Sequence, residues 1–202
     1  MKKLTLATLS TLALTLPCTS VFAVDGTITV NGVVTDQTCT LEASFSLNGR
    51  ASGLKDITIN FPAVPKSMVN SNINPTYESF WLSLKNATNT GACDAATSKA
   101  FKGIHLSAIS PDHLDTTDKT LLVNNAADAS TKNPIFIQFA TYTGTNAVPV
   151  DLSAPWGTQA RSDLYRTGNE VFVSYQTIVT SKTGVVDAQN VQATVNYTLM
   201  YN

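Results

Sequence analysis

The chain has 202 residues, a formal net charge of −1 at pH 7, and only 13% charged residues. It contains no block of basic residues, which argues against nucleic acid and anionic membranes as partners.

The only histidines are His105 and His113, and no Gly-x-Ser-x-Gly turn occurs. These residues offer no arrangement for hydrolytic catalysis, so we do not expect an enzyme. The spacing of the histidines and nearby aspartates matches no common metal site, and we expect neither a metal nor a cofactor.

The first 23 residues have the pattern of a secretory signal peptide. Lys2 and Lys3 form a charged start, which is followed by an apolar stretch and a small-residue cleavage site ending at Ala23. We therefore predict an exported mature chain that spans 24–202. No other segment approaches the ~20 apolar residues of a membrane-spanning helix, so membrane insertion is not expected.

The cysteine content predicts one disulfide bond. Cys18 is removed with the signal peptide, which leaves Cys39 and Cys93 in the mature chain. An isolated cysteine pair in an exported protein typically forms a disulfide. Lipid attachment at Cys18 is the alternative, but the preceding Pro17 fits it poorly because a small residue is expected there.

The segment that follows the cleavage site is predicted to be a β-strand. Every second residue falls on one face of this strand, and these residues are Val24, Gly26, Ile28, Val30 and Gly32. The intervening residues are polar, and such alternation is typical of a half-buried strand.

The middle of the chain is predicted to contain short strands and no convincing amphipathic helix. The predicted strands span 33–41, 57–61, 79–84, 103–109, 120–123, 134–142, 148–152 and 168–179, while 43–56 and 86–98 are predicted loops. In strand 79–84 the alternation turns Phe80, Leu82 and Leu84 inward and leaves Trp81 on the other face. A subunit interface is the favoured role for Trp81, and a sugar-binding site with Phe80 is the alternative. Many short strands separated by turns predict an immunoglobulin-like sandwich.

A final strand is predicted over 191–201. Its inward face would carry alternating, mainly apolar residues, which are Val191, Ala193, Val195, Tyr197, Leu199 and Tyr201. The alternating residues between them are mostly polar, as expected for a strand with one buried face.

Three parts of the sequence resemble one protein family. The run from Gly26 to Cys39 resembles the start of chaperone–usher fimbrial pilins, such as the major subunit of type 1 fimbriae. The segment 193–202 is similar to the family's last strand, and 78–84 followed by Cys93 is similar to the strand that precedes its second cysteine.

The resemblance implies an all-β fold, an incomplete immunoglobulin-like sandwich that is completed by a strand from a neighbouring subunit. Residues 24–32 would be the donor strand, 33–202 the pilin domain, and the inward residues of 191–201 one side of the acceptor groove. The expected function is a structural subunit of a surface fimbrium that polymerises head-to-tail and serves cell adhesion. The implied partners are other copies or related pilins, a periplasmic chaperone and an outer-membrane usher. A tip adhesin that binds a receptor or sugar, and a secreted enzyme on a β-sandwich, are the alternatives.

Overall fold

A computed structural model of the chain describes residues 39–46, 49–69, 76–143 and 146–202. These residues form eleven β-strands and two short α-helices. The strands are β1 (Thr40–Ser46), β2 (Ala51–Ser52), β3 (Thr58–Ile59), β4 (Thr76–Lys85), β5 (Phe101–Ala108), β6 (Leu121–Val123), β7 (Phe136–Thr143), β8 (Asn146–Pro149), β9 (Tyr165–Thr167), β10 (Glu170–Thr180) and β11 (Val195–Tyr201). The helices are α1 (Lys66–Val69) and α2 (Ala95–Ala100).

The larger sheet has seven antiparallel strands with the central order β1-β4-β10-β7-β6. Strand β8 extends it beside β7, and β9 pairs with the start of β10. Strand β10 lies between β4 and β7, and its residue Val173 is opposite Leu82 while Thr177 is opposite Phe139. The two longest strands, β4 and β10, therefore form the centre of this sheet.

A second sheet consists of β5 and β11, which are antiparallel, with Tyr197 opposite Leu106. Strands β2 and β3 form a separate short pair. Side chains from both the larger sheet and the second sheet belong to one hydrophobic core, which contains Leu82 and Val173 from the first and Ile104 and Leu106 from the second. The predicted all-β class is confirmed, and two antiparallel sheets around a shared core are the arrangement of an immunoglobulin-like sandwich.

The alternation in β4 is confirmed by burial. Phe80, Leu82 and Leu84 are all buried in the core, whereas Trp81 lies on the opposite face. There the Trp81 ring contacts the Tyr165 ring edge-on, with 4.8 Å between the ring centroids. Trp81 is thus partly covered by a neighbour from β9, which is not among the strands predicted from the sequence.

The predicted loops at 43–56 and 86–98 are corrected by the structure. Strand β1 continues to Ser46, because it pairs with β4 across a register shift between Ala43 and Phe45. Helix α2 begins within the second predicted loop, where the Asp94 side chain accepts a hydrogen bond from the Thr97 main-chain N–H at 2.9 Å. An aspartate in this position caps a helix by pairing one of its free N–H groups, and three alanines favour the short helix that follows.

The predicted disulfide between Cys39 and Cys93 is confirmed, with 5.8 Å between the two Cα atoms. Both cysteines are buried in the core. The bond joins the residue before β1 to the residue before the α2 cap, so it fixes an edge of the larger sheet to the start of the α2–β5 segment. None of the helices within the described ranges has the length and apolar character needed to cross a membrane.

Candidate functional site

The second sheet has an open side beside β11. Strand β11 pairs with β5 along one edge, and the described residues supply no strand along its other edge. A groove runs along this open edge, made of two adjoining cavities with volumes of about 880 and 220 Å³. The cavities share Ile57, Ile59, Phe139, Thr194 and Val195, so they form one continuous depression. We call it the β11 groove.

Core side chains form the floor of the β11 groove. Phe80, Leu106 and Tyr175 lie beneath the smaller cavity, and Ile137 and Phe139 lie beneath the larger one. All but Phe139 are almost fully buried, and all five pack in the main hydrophobic core. Burial raises the pKa of Tyr175 to about 12, so this phenol stays neutral, and it donates a hydrogen bond to the Ile104 carbonyl at 3.4 Å. The groove thus opens directly onto the hydrophobic core.

Two chain segments form its walls. One wall is residues 55–61, in which Ile57, Ile59 and Phe61 are half-buried and the residues between them are exposed. The other wall is residues 190–197, with Ala193 and Val195 half-buried. The smaller cavity touches 55–59 and 194–197, and the larger touches 57–61 and 190–195, so the walls run in opposite directions. A wall of eight residues is about 25 Å long when extended.

A sharp turn positions the first wall. Gly53 has a φ of 115°, and a Cβ at this position would lie 2.1 Å from the Asp56 carbonyl oxygen. Lys55 also has a positive φ, of 65°. Its main-chain N–H donates to the Leu41 carbonyl at 2.7 Å, and its own carbonyl accepts a hydrogen bond from the Tyr197 hydroxyl at 2.7 Å. The turn is therefore fastened to β1 on one side and to β11 on the other.

The predicted strand over 191–201 begins later than expected. Strand β11 starts at Val195, and Val191 and Ala193 precede it. The reason is that the main chain before β11 bonds elsewhere: the Gln192 N–H donates to the Asn124 side chain at 2.9 Å, and the Gln192 carbonyl accepts from the Asn125 N–H at 2.8 Å. These bonds draw residues 190–192 towards the loop after β6 and away from β5.

Asn124 is the centre of this interaction. It is buried, and its side-chain nitrogen donates to Gln189 Oε1 at 3.0 Å and to the Asn190 carbonyl at 2.6 Å. Its oxygen accepts from the Ala126 N–H at 3.2 Å as well as from Gln192. At the end of the groove, the Asp128 carboxylate accepts from the main-chain and side-chain nitrogens of Asn190 at 3.0–3.1 Å. A polar network thus fixes the position of the second wall.

The predicted acceptor residues fall into two groups. Val191, Ala193, Val195 and Tyr197 line the groove. Leu199 packs against the core, and Tyr201 contacts the Phe101 ring edge-on at 5.8 Å between centroids. The predicted donor residues Val24, Gly26, Ile28, Val30 and Gly32, and the predicted signal peptide, lie outside the described residues. The sequence pattern predicts a strand at 57–61 but does not indicate that 55–61 forms a wall of the groove.

The side chains of His105 and Asp115 both bond to segments that are distant in the sequence. His105 Nε2 donates to the Ala154 carbonyl at 3.0 Å, and Asp115 pairs with Lys182 at 2.8 Å. Among the described residues, the one group of three potential metal ligands is Cys39, Cys93 and Asp94, and its two sulfurs form the disulfide.

The fold and the groove define an all-β sandwich whose second sheet has room for another strand beside β11. No protein-family model and no curated protein matches the sequence. Among solved structures, the chain is similar to the P pilus rod subunit PapA, with 17% sequence identity and a TM-score of 0.49. The match covers 87% of this chain and 100% of that one.

Proposed function

We propose that this protein is a structural subunit of a chaperone–usher fimbrium, which polymerises head-to-tail when residues 24–32 of one copy occupy the β11 groove of the next. The observation that carries the proposal is the groove itself, because core side chains line its floor along an edge of β11 that no other described strand pairs with. Such a surface is filled by adding a strand, whose main chain pairs with the edge while alternate side chains enter the pockets.

The length and pattern of residues 24–32 suit this groove. Nine residues in extended conformation span about 30 Å, close to the length of the groove walls. Their apolar phase places Ile28 and Val30 on the face that would meet the groove floor. Burial of each of these side chains contributes about 1.5–3 kcal/mol. The apolar floor beneath Val195 is the complementary surface.

The geometry of exchange also determines the kind of assembly. The donor segment and the groove are different surfaces of one chain, so each copy has one donor segment and one groove. Contacts of this kind are head-to-tail, and they produce an open filament when the rotation between subunits does not close a ring. Before assembly, the unpaired edge of β11 is prone to aggregation. The proposal therefore includes a periplasmic chaperone that covers the groove and an outer-membrane usher at which copies are joined, with the fimbrium displayed on the cell surface for adhesion.

The donor segment provides the test. Ile28→Asp would bury an unpaired charge in the groove of the next subunit, and Gly26→Leu would overpack the interface at a cost of about 1–3 kcal/mol. We expect both variants to abolish filaments in electron micrographs of cells that carry the chaperone and usher. Chaperone-bound monomer should still accumulate in periplasmic immunoblots, because a donor role would place both residues outside the subunit's own core.

Thr29→Asp is the matched control, since it introduces the same charge on the other face of the same strand. It should leave filaments largely intact. Normal filaments from Ile28→Asp, or loss of the chaperone-bound monomer together with the filaments, would contradict a donor role for residues 24–32.

A further inference from the structure

The second sheet has another edge, on the side of β5 that faces away from β11. In an antiparallel strand, the main-chain groups of alternate residues point to the same edge. Ile104, Leu106 and Ala108 share one phase of β5, and their main-chain groups bond to residues outside β11. Among the described residues, no strand pairs with this edge.

A single side chain takes the place of the missing strand at Leu106. Gln159 is only 4% exposed, and its Oε1 accepts from the Leu106 N–H at 2.9 Å. Its Nε2 donates to the Leu106 carbonyl at 2.7 Å and to the Asp151 carbonyl at 2.7 Å. A primary amide has the same donor and acceptor groups as a peptide unit. Gln159 therefore satisfies both main-chain groups of Leu106, as a neighbouring strand would.

The segment around Gln159 covers the rest of this edge. The Leu152 carbonyl accepts a hydrogen bond from the Ala108 N–H at 3.3 Å, and the Ala154 carbonyl accepts one from the His105 side chain. The Trp156 ring lies over Gly103, where an added Cβ would come within 3.1 Å of a ring carbon. The Gln159 amide bonds to both the Asp151 carbonyl and Leu106, so it holds the two ends of the segment 151–159 against β5. In this position the segment blocks the approach of another chain to β5.

We infer that Gln159 makes strand addition to this protein one-sided, so that a strand from another copy enters at β11 and never at β5. An unpaired strand edge is a template for pairing with other chains, and a buried amide that occupies its donors and acceptors removes that template. With both edges open, each subunit would accept two strands, and filaments would branch or associate laterally. This inference rests on the proposed function, because it concerns the same strand exchange.

Hydrogen exchange of the unmodified protein tests the inference without any variant. The amides of Leu106 and Ala108 should be protected from exchange in the chaperone-bound monomer. Their exchange rates should change less than about twofold on assembly. The amides of β11 that face the groove should exchange about tenfold or more slowly in the filament than in monomer released from the chaperone. Protection of Leu106 that appears only on assembly would overturn the inference, because the β5 edge would then be an assembly contact.

A substitution provides the second test. Gln159→Leu keeps the approximate size of the side chain and removes both polar groups. Gln138→Leu is the control, because within the described part of the chain the Gln138 side chain donates a hydrogen bond to the Thr120 hydroxyl, away from the β5 edge. Wild-type and Gln138→Leu filaments should bind a labelled peptide of residues 24–32 at filament ends alone. Gln159→Leu filaments should bind it along their length, approaching one peptide per subunit, and should branch or bundle in micrographs.

Unbranched Gln159→Leu filaments that bind peptide only at their ends would refute the role of Gln159 while leaving the proposed function intact. If Gln159→Leu does not accumulate, the hydrogen-exchange result on the unmodified protein decides. Absence of wild-type filaments under the same conditions would instead contradict the proposed function.

Discussion

Asp115 organises the turn that precedes β6. Its carboxylate accepts hydrogen bonds from the Thr117 N–H at 3.1 Å, the Thr117 hydroxyl at 2.8 Å and the Asp118 N–H at 2.9 Å. It also forms an ion pair with Lys182, at 2.8 Å, which joins this turn to the one after β10. Burial by itself raises the pKa of Asp115, but the hydrogen bonds from Lys182, Thr117 and Asp118 outweigh it and hold the pKa well below the ordinary value of 3.8.

Because the pKa of Asp115 is lower in the folded state, its carboxylate stabilises the fold at pH values above 3.8, and this contribution disappears as the pH falls below that value. Asp115→Asn keeps an acceptor oxygen and removes the charge. We expect it to lower the free energy of unfolding by about 1 kcal/mol at pH 7, since Lys182 is partly exposed and the ion pair is screened. The difference from wild type should shrink steadily in urea titrations between pH 4 and pH 2.

Asp112→Asn is the control for this prediction. Asp112 is exposed and lies in the same turn region. Its substitution should change the free energy of unfolding little at either pH. A constant deficit for Asp115→Asn across the acid range would show that the charge of Asp115 does not contribute to stability.

At the scale of elements, the second wall of the β11 groove depends on a polar network more than on strand pairing. The Asn124 side chain makes four hydrogen bonds. Three of them are to residues 189–192, and the fourth is to the Ala126 N–H. Strand pairing with β5 begins only at Val195. The position of Val191 and Ala193 is therefore set by contacts with the loop after β6.

Asn124→Ala should release this wall. Loss of the buried amide leaves main-chain groups unpaired, at a cost of about 1–3 kcal/mol in the free energy of unfolding. Amides in 189–194 should exchange faster, while those of β5 and β10 keep their protection. Asn190→Ala is the matched control, because the Asn190 side chain bonds to the exposed Asp128. Equal effects of the two substitutions in urea titrations and hydrogen exchange would refute a central role for Asn124.

At the scale of the whole molecule, the disulfide connects segments that are 54 residues apart in the sequence. The loop that it closes contains β1, β2, β3 and β4. This loop includes one wall of the groove and a central strand of the larger sheet. The bond therefore restricts the unfolded chain over a region that includes one wall of the β11 groove.

Removal of the disulfide should destabilise the entire sandwich. For a loop of this length, the chain-entropy model gives a stabilisation of about 4 kcal/mol. We expect the double variant Cys39→Ala/Cys93→Ala to show a lower urea midpoint by every spectroscopic probe and a strongly reduced periplasmic yield. Cys39→Ala alone should be no more stable than the double variant, because it also exposes a free thiol. Unchanged stability of the double variant would show that the bond does not contribute to folding.

The sequence by itself determined which faces of the elements are buried and how the cysteines pair. The alternation of Phe80, Leu82 and Leu84 predicts their burial because side chains on a strand alternate between two faces. The cysteine pairing follows from there being two in the predicted mature chain. The donor role of residues 24–32 also rests on alternation, and it stays a prediction.

Only the tertiary structure decided which elements are neighbours. The alternation at 57–61 predicts a strand but not that Ile57 and Ile59 lie across a groove from Val195. The same pattern at Val191 and Ala193 predicts strand pairing that hydrogen bonds from Asn124 prevent. Nothing local to Gln159 indicates that its amide closes the edge of β5. These features depend on contacts between residues 50 to 140 positions apart. A local sequence pattern indicates which face of a segment is apolar, but it does not indicate which other segment packs against that face.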